Sequence, residues 1–341
     1  MVEHGGRLRR AAARYAIPLA DWLDLSTGIN PDGWPVPEVP AAAWSRLPED
    51  EDELTQIAGS YYGAHTLLPV AGSQAAIQAL PLLRAPCRVA VIHPGYAEHA
   101  HAWRQAGHAV TLVDAVDIDN VVPHMDALVL IHPNNPTGAR FPPTQLLDWH
   151  ARLAARGGWL VLDEAFMDAT PAESLAPFCP RPGLIVLRSL GKFFGLAGAR
   201  VGFVLAETTL LENLRAQLGP WNVAGPSRWV AARALADIAW QRAARARLAD
   251  SSAQLAALLH EFNLEPRGGC ALFQWVPTPH AVDIHKHLAR RGVLTRLFKE
   301  PLSLRFGLPK TETDWTRLNT ALSDTLLNPL SLRERARVRE S

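Results

Sequence analysis

No two cysteines of this chain stand close enough in sequence to make a CxxC unit. Cys87, Cys179 and Cys270 are widely separated and odd in number, which argues against a disulfide framework and against a zinc cluster. The histidines offer no metal set in their place, since neither His99 with His101 nor His285 with His287 has the spacing that puts two imidazoles on one helix face. Net charge is nearly absent as well. At +1 over 341 residues there is no general field to collect nucleic acid or an anionic membrane, so anions must be held at local sites. No uninterrupted apolar stretch approaches the ~20 residues that span a bilayer, and Met1-Val2-Glu3-His4-Gly5-Gly6-Arg7 has no apolar signal core. The expectation is a soluble, unexported protein of the reducing cytoplasm that works on a small molecule, without metal, nucleic acid or membrane. There is no internal repeat and nothing like a helix-turn-helix appendage.

What is present is an ordinary globular composition, 48% hydrophobic and 20% charged, long enough for one large α/β domain with a smaller companion. Residues 1–34 read as an N-terminal segment with a short basic helix over Arg7 to Tyr15 and a short strand Leu23-Asp24-Leu25-Ser26. That strand runs into the turn Thr27-Gly28-Ile29-Asn30-Pro31. Taken as bare residues, His4-Gly5-Gly6 and Asn30-Pro31 are turn chemistry. The large domain is expected over 35–219. Its acidic run Glu49 to Glu53 reads as the solvated first turn of a helix reaching Tyr61. Apolar runs at Leu67–Val70, Val89–Ile92, Ala109–Val113, Ala127–Ile131, Trp159–Leu162 and Leu184–Leu187 alternate with helical stretches, and Arg200 to Ala206 reads as a last strand. Such runs imply a mostly parallel sheet flanked by helices, with functional groups at the carboxyl ends of its strands. Residues 220–328 read as the smaller C-terminal α/β domain. It is entered by one long helix from Pro226 to Glu261 with its arginines on the wet face, followed by strands over Cys270–Val276, Val293–Phe298 and Leu302–Leu308. The tail 329–341 is charged, short of apolar anchors and expected to be disordered.

The stretch that gathers these elements is Ser189-Leu190-Gly191-Lys192-Phe193-Phe194-Gly195, followed by Arg200. A lysine at the end of a buried strand can lose proton affinity through desolvation, and a neutral amine attacks an aldehyde to give a Schiff base. Ser189 and Arg200 beside it suit a phosphate. Gly72, Ser73 and Gln74 open an apolar helix, a start that serves as a simple cap or as an anion site through its unpaired N–H groups. Asp163 and Asn135 follow two other strand ends, and Tyr96 follows a third. The lysine segment resembles the Schiff-base segment of the fold-type I enzymes that use pyridoxal 5'-phosphate (PLP), a cofactor that needs an amine for its aldehyde, an acid for its pyridine nitrogen, a phosphate cradle and a surface for its ring. Lys192, Asp163, the Gly72-Ser73-Gln74, Ser189 and Arg200 set, and Tyr96 are candidates for these tasks, with Asn135 donating to the phenolate oxygen.

In order and spacing, Asn134-Asn135-Pro136-Thr137-Gly138, Asp163-Glu164-Ala165-Phe166 and Ser189-x-x-Lys192 with Arg200 resemble the fold-type I PLP enzymes of the aminotransferase class, which includes histidinol-phosphate aminotransferase. Further stretches look like the threonine-phosphate decarboxylases of cobalamin biosynthesis within that class. They are His4-Gly5-Gly6, Leu23 to Pro31, Asp163 to Asp168 with Pro171 and Glu173-Ser174-Leu175, and Pro220-Trp221. The resemblance runs from residue 4 to about 325. It implies a phosphorylated amino acid as substrate and a homodimer that completes its sites from both subunits. It also implies that Arg305 grips the α-carboxylate, that Arg296 takes the substrate phosphate, and that His4, Gly5 and Asn30 close the pocket. Two departures stand out: Phe166 replaces the tyrosine usual in the aminotransferases, and the interval from Arg296 to Arg305 is short for the family. The same residues leave open amino-group transfer, as in a histidinol-phosphate aminotransferase, and a catalytically silent PLP-binding regulatory domain.

Overall fold

The computed structural model describes residues 5–326, so His4 and the charged tail lie outside the described residues. The chain divides into two compact units, residues 33–246 and residues 1–32 with 247–341.

The first unit is built on a seven-stranded sheet in the order Leu67–Val70, Gly202–Leu205, Leu184–Ser189, Trp159–Asp163, Ala127–Ile131, Arg88–Ile92, Ala109–Val113. The last five are mutually parallel, and Gly202–Leu205 runs antiparallel to both its neighbours. Every residue of Ala127–Ile131 and of Leu184–Ser189 is buried, as befits strands covered on both faces. Each Leu, Ile or Val so covered contributes about 1.5–3 kcal/mol. The register aligns the strand ends: Ile131 pairs with Asp163, Asp163 with Leu187, and Ser189 with Gly202. The candidate groups at Asp163, Ser189 and Lys192 therefore leave one edge of the sheet together.

Two expectations change here. The acidic run is not simply solvated. Asp52 accepts the N–H of Leu54 ahead of the helix Leu54–Tyr62, and both its oxygens take the guanidinium of Arg228, at 2.7 Å each. Arg228 is buried, so this arginine clamps two helices and does not line a wet face. The stretch from Pro226 to Glu261 is also two helices, Gly225–Ala236 and Ile238–Glu261, with Ile238 exposed at the break. Asp237 causes the interruption, since its carboxylate accepts from the Trp34 indole and from the backbone N–H of Trp240, caps the second helix and holds non-helical angles.

The second unit carries a four-stranded antiparallel sheet in the order Arg296–Lys299, Leu302–Gly307, Phe273–Pro277, Gly268–Cys270, and a parallel pair, Leu23–Asp24 with Val293–Leu294. The expected strand over Val293–Phe298 is thus two short ones that pair with different partners. The expected Cys270–Val276 strand is the second arm of a hairpin. Leu25 continues the N-terminal strand, donating to Leu294 O and accepting from Gly307 N, which lays the N-terminal segment against the end of the Leu302–Gly307 strand.

Candidate active site

In the first unit the phosphate candidates converge on the Val70, Ser189 and Gly202 ends of three neighbouring strands. Gly72 sits at φ 73°, a conformation that favours glycine, and a Cβ there would fall 2.5 Å from Nη2 of Arg200. Arg200 itself takes a left-handed backbone (φ 54°) and donates to Ala197 O. Gly202 is equally constrained, because a Cβ on it would stand 2.6 Å from the backbone nitrogen of Ser73. The two glycines therefore let the Arg200 guanidinium close on Gly72 and the Ser73 backbone nitrogen close on Gly202 at the ends of these strands, which puts N–H donors of the kind that suit a phosphate in one neighbourhood. Ser189 adds a hydroxyl that accepts the Gly191 N–H at 3.2 Å.

The ring candidates form a second group. Oδ1 of Asp163 accepts the N–H of Ala165, and Oδ2 lies 2.9 Å from Nε2 of His99, both side chains being buried. His99 was set aside above as a metal ligand, and its actual partner is the acid candidate. A signal was present in Tyr96-x-x-His99, one helical turn apart at the start of Ala97–Gln105, and the two rings meet edge to face at 6.1 Å. The Tyr96 hydroxyl donates to Gln74 Oε1 at 3.0 Å. Burial, then Glu98 and Asp163, push this phenol up to about 12, so it stays protonated as a donor. Lys192 places its Nζ 5.2 Å from the centre of the Phe166 ring. It is the one lysine of residues 33–246. Asn135 is half-buried beyond the end of Ala127–Ile131, on a loop that Asn134 holds by donating to Pro94 O and Thr137 Oγ1. His132, buried beneath that loop, accepts the Phe141 N–H through Nε2, and burial together with nearby Arg140 lowers it to about 4.

A neighbouring network was not foreseen. Arg188, inside the apolar strand that ends at Ser189, is fully buried against Glu164 and Asp168, with the Ser174 hydroxyl and Leu175 N–H also bound to Glu164. Burial opposes the charge on Arg188, but Asp168 and Glu164 outweigh it and hold the guanidinium above its usual range. An arginine in an apolar strand, with Glu164 and Asp168 after the preceding strand, was the available clue.

Residues 41–330 match the family "Aminotransferase class I and II". The chain belongs to that family. Among curated members, threonine-phosphate decarboxylase of Pseudomonas aeruginosa is 58% identical over 322 residues, covering 94% of this chain and 97% of the relative. Two solved structures share the fold. Histidinol-phosphate aminotransferase from Sinorhizobium meliloti, in complex with pyridoxal-5'-phosphate, has a TM-score of 0.81 at 20% identity over 96% of this chain and 98% of its own. L-threonine-O-3-phosphate decarboxylase from Porphyromonas gingivalis has a TM-score of 0.76 at 20% identity over 89% and 99%. The α/β architecture with a mostly parallel sheet is thus the family's.

In the second unit, Arg296 and Arg305 are register partners on adjacent antiparallel strands, so their side chains leave the same face. Arg305 is buried, donates to Ser26 O at 2.6 Å and stacks over Phe273. Burial, then the neighbouring Arg296, lower it to about 10. Arg296 stacks over Phe298 at 5.1 Å. Asn30 is buried and its Oδ1 accepts the N–H of Asp32, while Gly5 packs on Ser26.

Proposed function

We propose that this protein removes the α-carboxylate of L-threonine O-3-phosphate, releasing carbon dioxide and (R)-1-amino-2-propanol O-2-phosphate. That product is an aminopropanol unit for cobalamin biosynthesis. The observation that carries the proposal is the 58% identity to a threonine-phosphate decarboxylase across nearly the whole of both chains, on a chain that keeps an amine, an acid and a phosphate cradle at adjacent strand ends.

Pyridoxal 5'-phosphate, when bound, supplies an aldehyde for an amine and a ring that draws electrons from the substrate Cα. Lys192 would be the amine that holds this aldehyde, and once displaced it would be the group placed to return a proton to the substrate Cα. Asp163, whose carboxylate His99 fixes, would keep the proton on the ring nitrogen; Asn135 would donate to the phenolate oxygen, and Tyr96 would cover the ring. Gly72, Ser73, Gln74, Ser189 and Arg200 would hold the phosphate of the cofactor. Arg305 takes the α-carboxylate and Arg296 the substrate phosphate, arginine's planar fork suiting both; His4, Gly5 and Asn30 close around them. Phe166 leaves Asn135 without a phenolic hydroxyl as second donor. The protein is proposed to act in the cytoplasm as a homodimer.

The test is turnover of L-threonine O-3-phosphate by the holoenzyme with no 2-oxo acid present. One carbon dioxide per aminopropanol phosphate is expected, and histidinol phosphate should not be consumed. Turnover that requires 2-oxoglutarate would overturn the proposal in favour of an aminotransferase.

A further inference from the structure

We infer that Ser26 is a positioning residue for substrate binding, tying the N-terminal Gly5-Gly6 segment to Arg305. The inference rests on the proposal that Arg305 receives the substrate carboxylate. Ser26 is 2% exposed and uses every polar atom it has. Its hydroxyl donates to Oδ1 of Asp24 at 2.6 Å and accepts the N–H of Gly6 at 2.7 Å. Its own N–H donates to the same Asp24 oxygen at 2.9 Å, and its carbonyl accepts from Nη2 of Arg305 at 2.6 Å.

The fit around that carbonyl is tight. A Cβ on Gly5 would stand 2.3 Å from Ser26 O, and Gly6 holds φ 74°, so both glycines are required for the segment to reach the serine. Asp24 in turn pairs with Leu294, two residues ahead of Arg296, while Leu25 is bound to Leu294 and Gly307 on either side. Ser26 thus stands where the N-terminal segment, the strand before Arg296 and the strand bearing Arg305 meet. Loss of its hydroxyl releases Gly6 and one hold on Asp24, leaving the backbone carbonyl that orients Arg305 fixed by less. The consequence falls on binding of the carboxylate and not on Lys192 chemistry.

Ser26→Ala in the full-length holoenzyme tests this. The dissociation constant for L-threonine O-3-phosphate, followed by the change in cofactor absorbance, should rise about tenfold, as expected for one or two lost hydrogen bonds. Over the same change kcat should hold within about twofold, the mark of lost uniform binding. The Gly6 amide should also lose its protection against hydrogen exchange. An unchanged dissociation constant would overturn the inference, and so would a kcat that falls in parallel or a loss of bound cofactor. Gly6→Ala, which leaves the serine intact but strains the φ 74° backbone that brings the Gly6 N–H to its hydroxyl, should give the same tenfold weakening and decides the matter if Ser26→Ala does not fold. The dissociation constant needs binding but no turnover. Absence of carbon dioxide release by the unaltered enzyme would therefore defeat the proposed reaction without settling the role of Ser26.

Discussion

Asp163 and Glu164 are consecutive carboxylates at the end of one strand, both buried, and they meet different partners. Successive side chains of an extended strand leave on opposite faces. Asp163 meets the imidazole of His99 and one backbone N–H. Glu164 is saturated by the guanidinium of Arg188, the hydroxyl of Ser174 and the N–H of Leu175. A carboxylate bound by a guanidinium, a hydroxyl and a backbone N–H belongs to the scaffold; the role proposed for Asp163 is to hold the ring nitrogen of the cofactor.

The comparison breaks most directly at Asp163. Asp163→Asn keeps size and hydrogen bonding but removes the charge, and kcat should fall by about 10³-fold, within the range of a displaced acid–base group, with the thermal midpoint little changed. Glu164→Gln should do the reverse. It leaves a buried Arg188 short of one anion, which costs about 3 kcal/mol or more in unfolding free energy, read by urea titration, while activity per folded molecule persists. Equal catalytic losses in the two variants would erase the distinction.

His132 supplies a pH test of the same strand ends. Its folded value near 4 lies below the usual 6.5, so between those limits the unfolded chain binds the proton and the folded one does not. Stability is therefore full above pH 6.5 and is lost as pH falls toward 4, by up to about 3 kcal/mol. Urea midpoints taken across this window should slope, and His132→Gln should flatten them. The smallest effect is expected at His99. His99→Phe removes the partner that orients Asp163 and should lower kcat by about tenfold, as for other groups that orient a functional ligand, with a shifted absorption spectrum of the bound cofactor.

Local signals carried much of this outcome into the sequence. Unbroken apolar runs such as Ala127–Ile131 and Leu184–Leu187 mark strands covered on both faces, and Asn135, Asp163 and Lys192 each come just after one, so their convergence was visible before any pairing was known. What stayed hidden depends on contacts distant in the chain. His99 finds Asp163 across 64 positions, and Ser26 finds Arg305 across 279; neither separation leaves a periodic trace. The break at Asp237 is likewise set by an indole from Trp34, and the division of Val293–Phe298 by the different strands on which its two halves pair. Helical periodicity also could not reveal that Arg228 turns inward, because Asp52, which neutralises it, lies on another helix's doorstep.

The most direct test of the account is the identity of the lysine that carries the cofactor. Reduction of the holoenzyme with borohydride, digestion and mass spectrometry should find the pyridoxyl phosphate adduct on Lys192. An adduct on Lys286, Lys299 or Lys310, the remaining lysines of the chain, or no adduct at all, would contradict it.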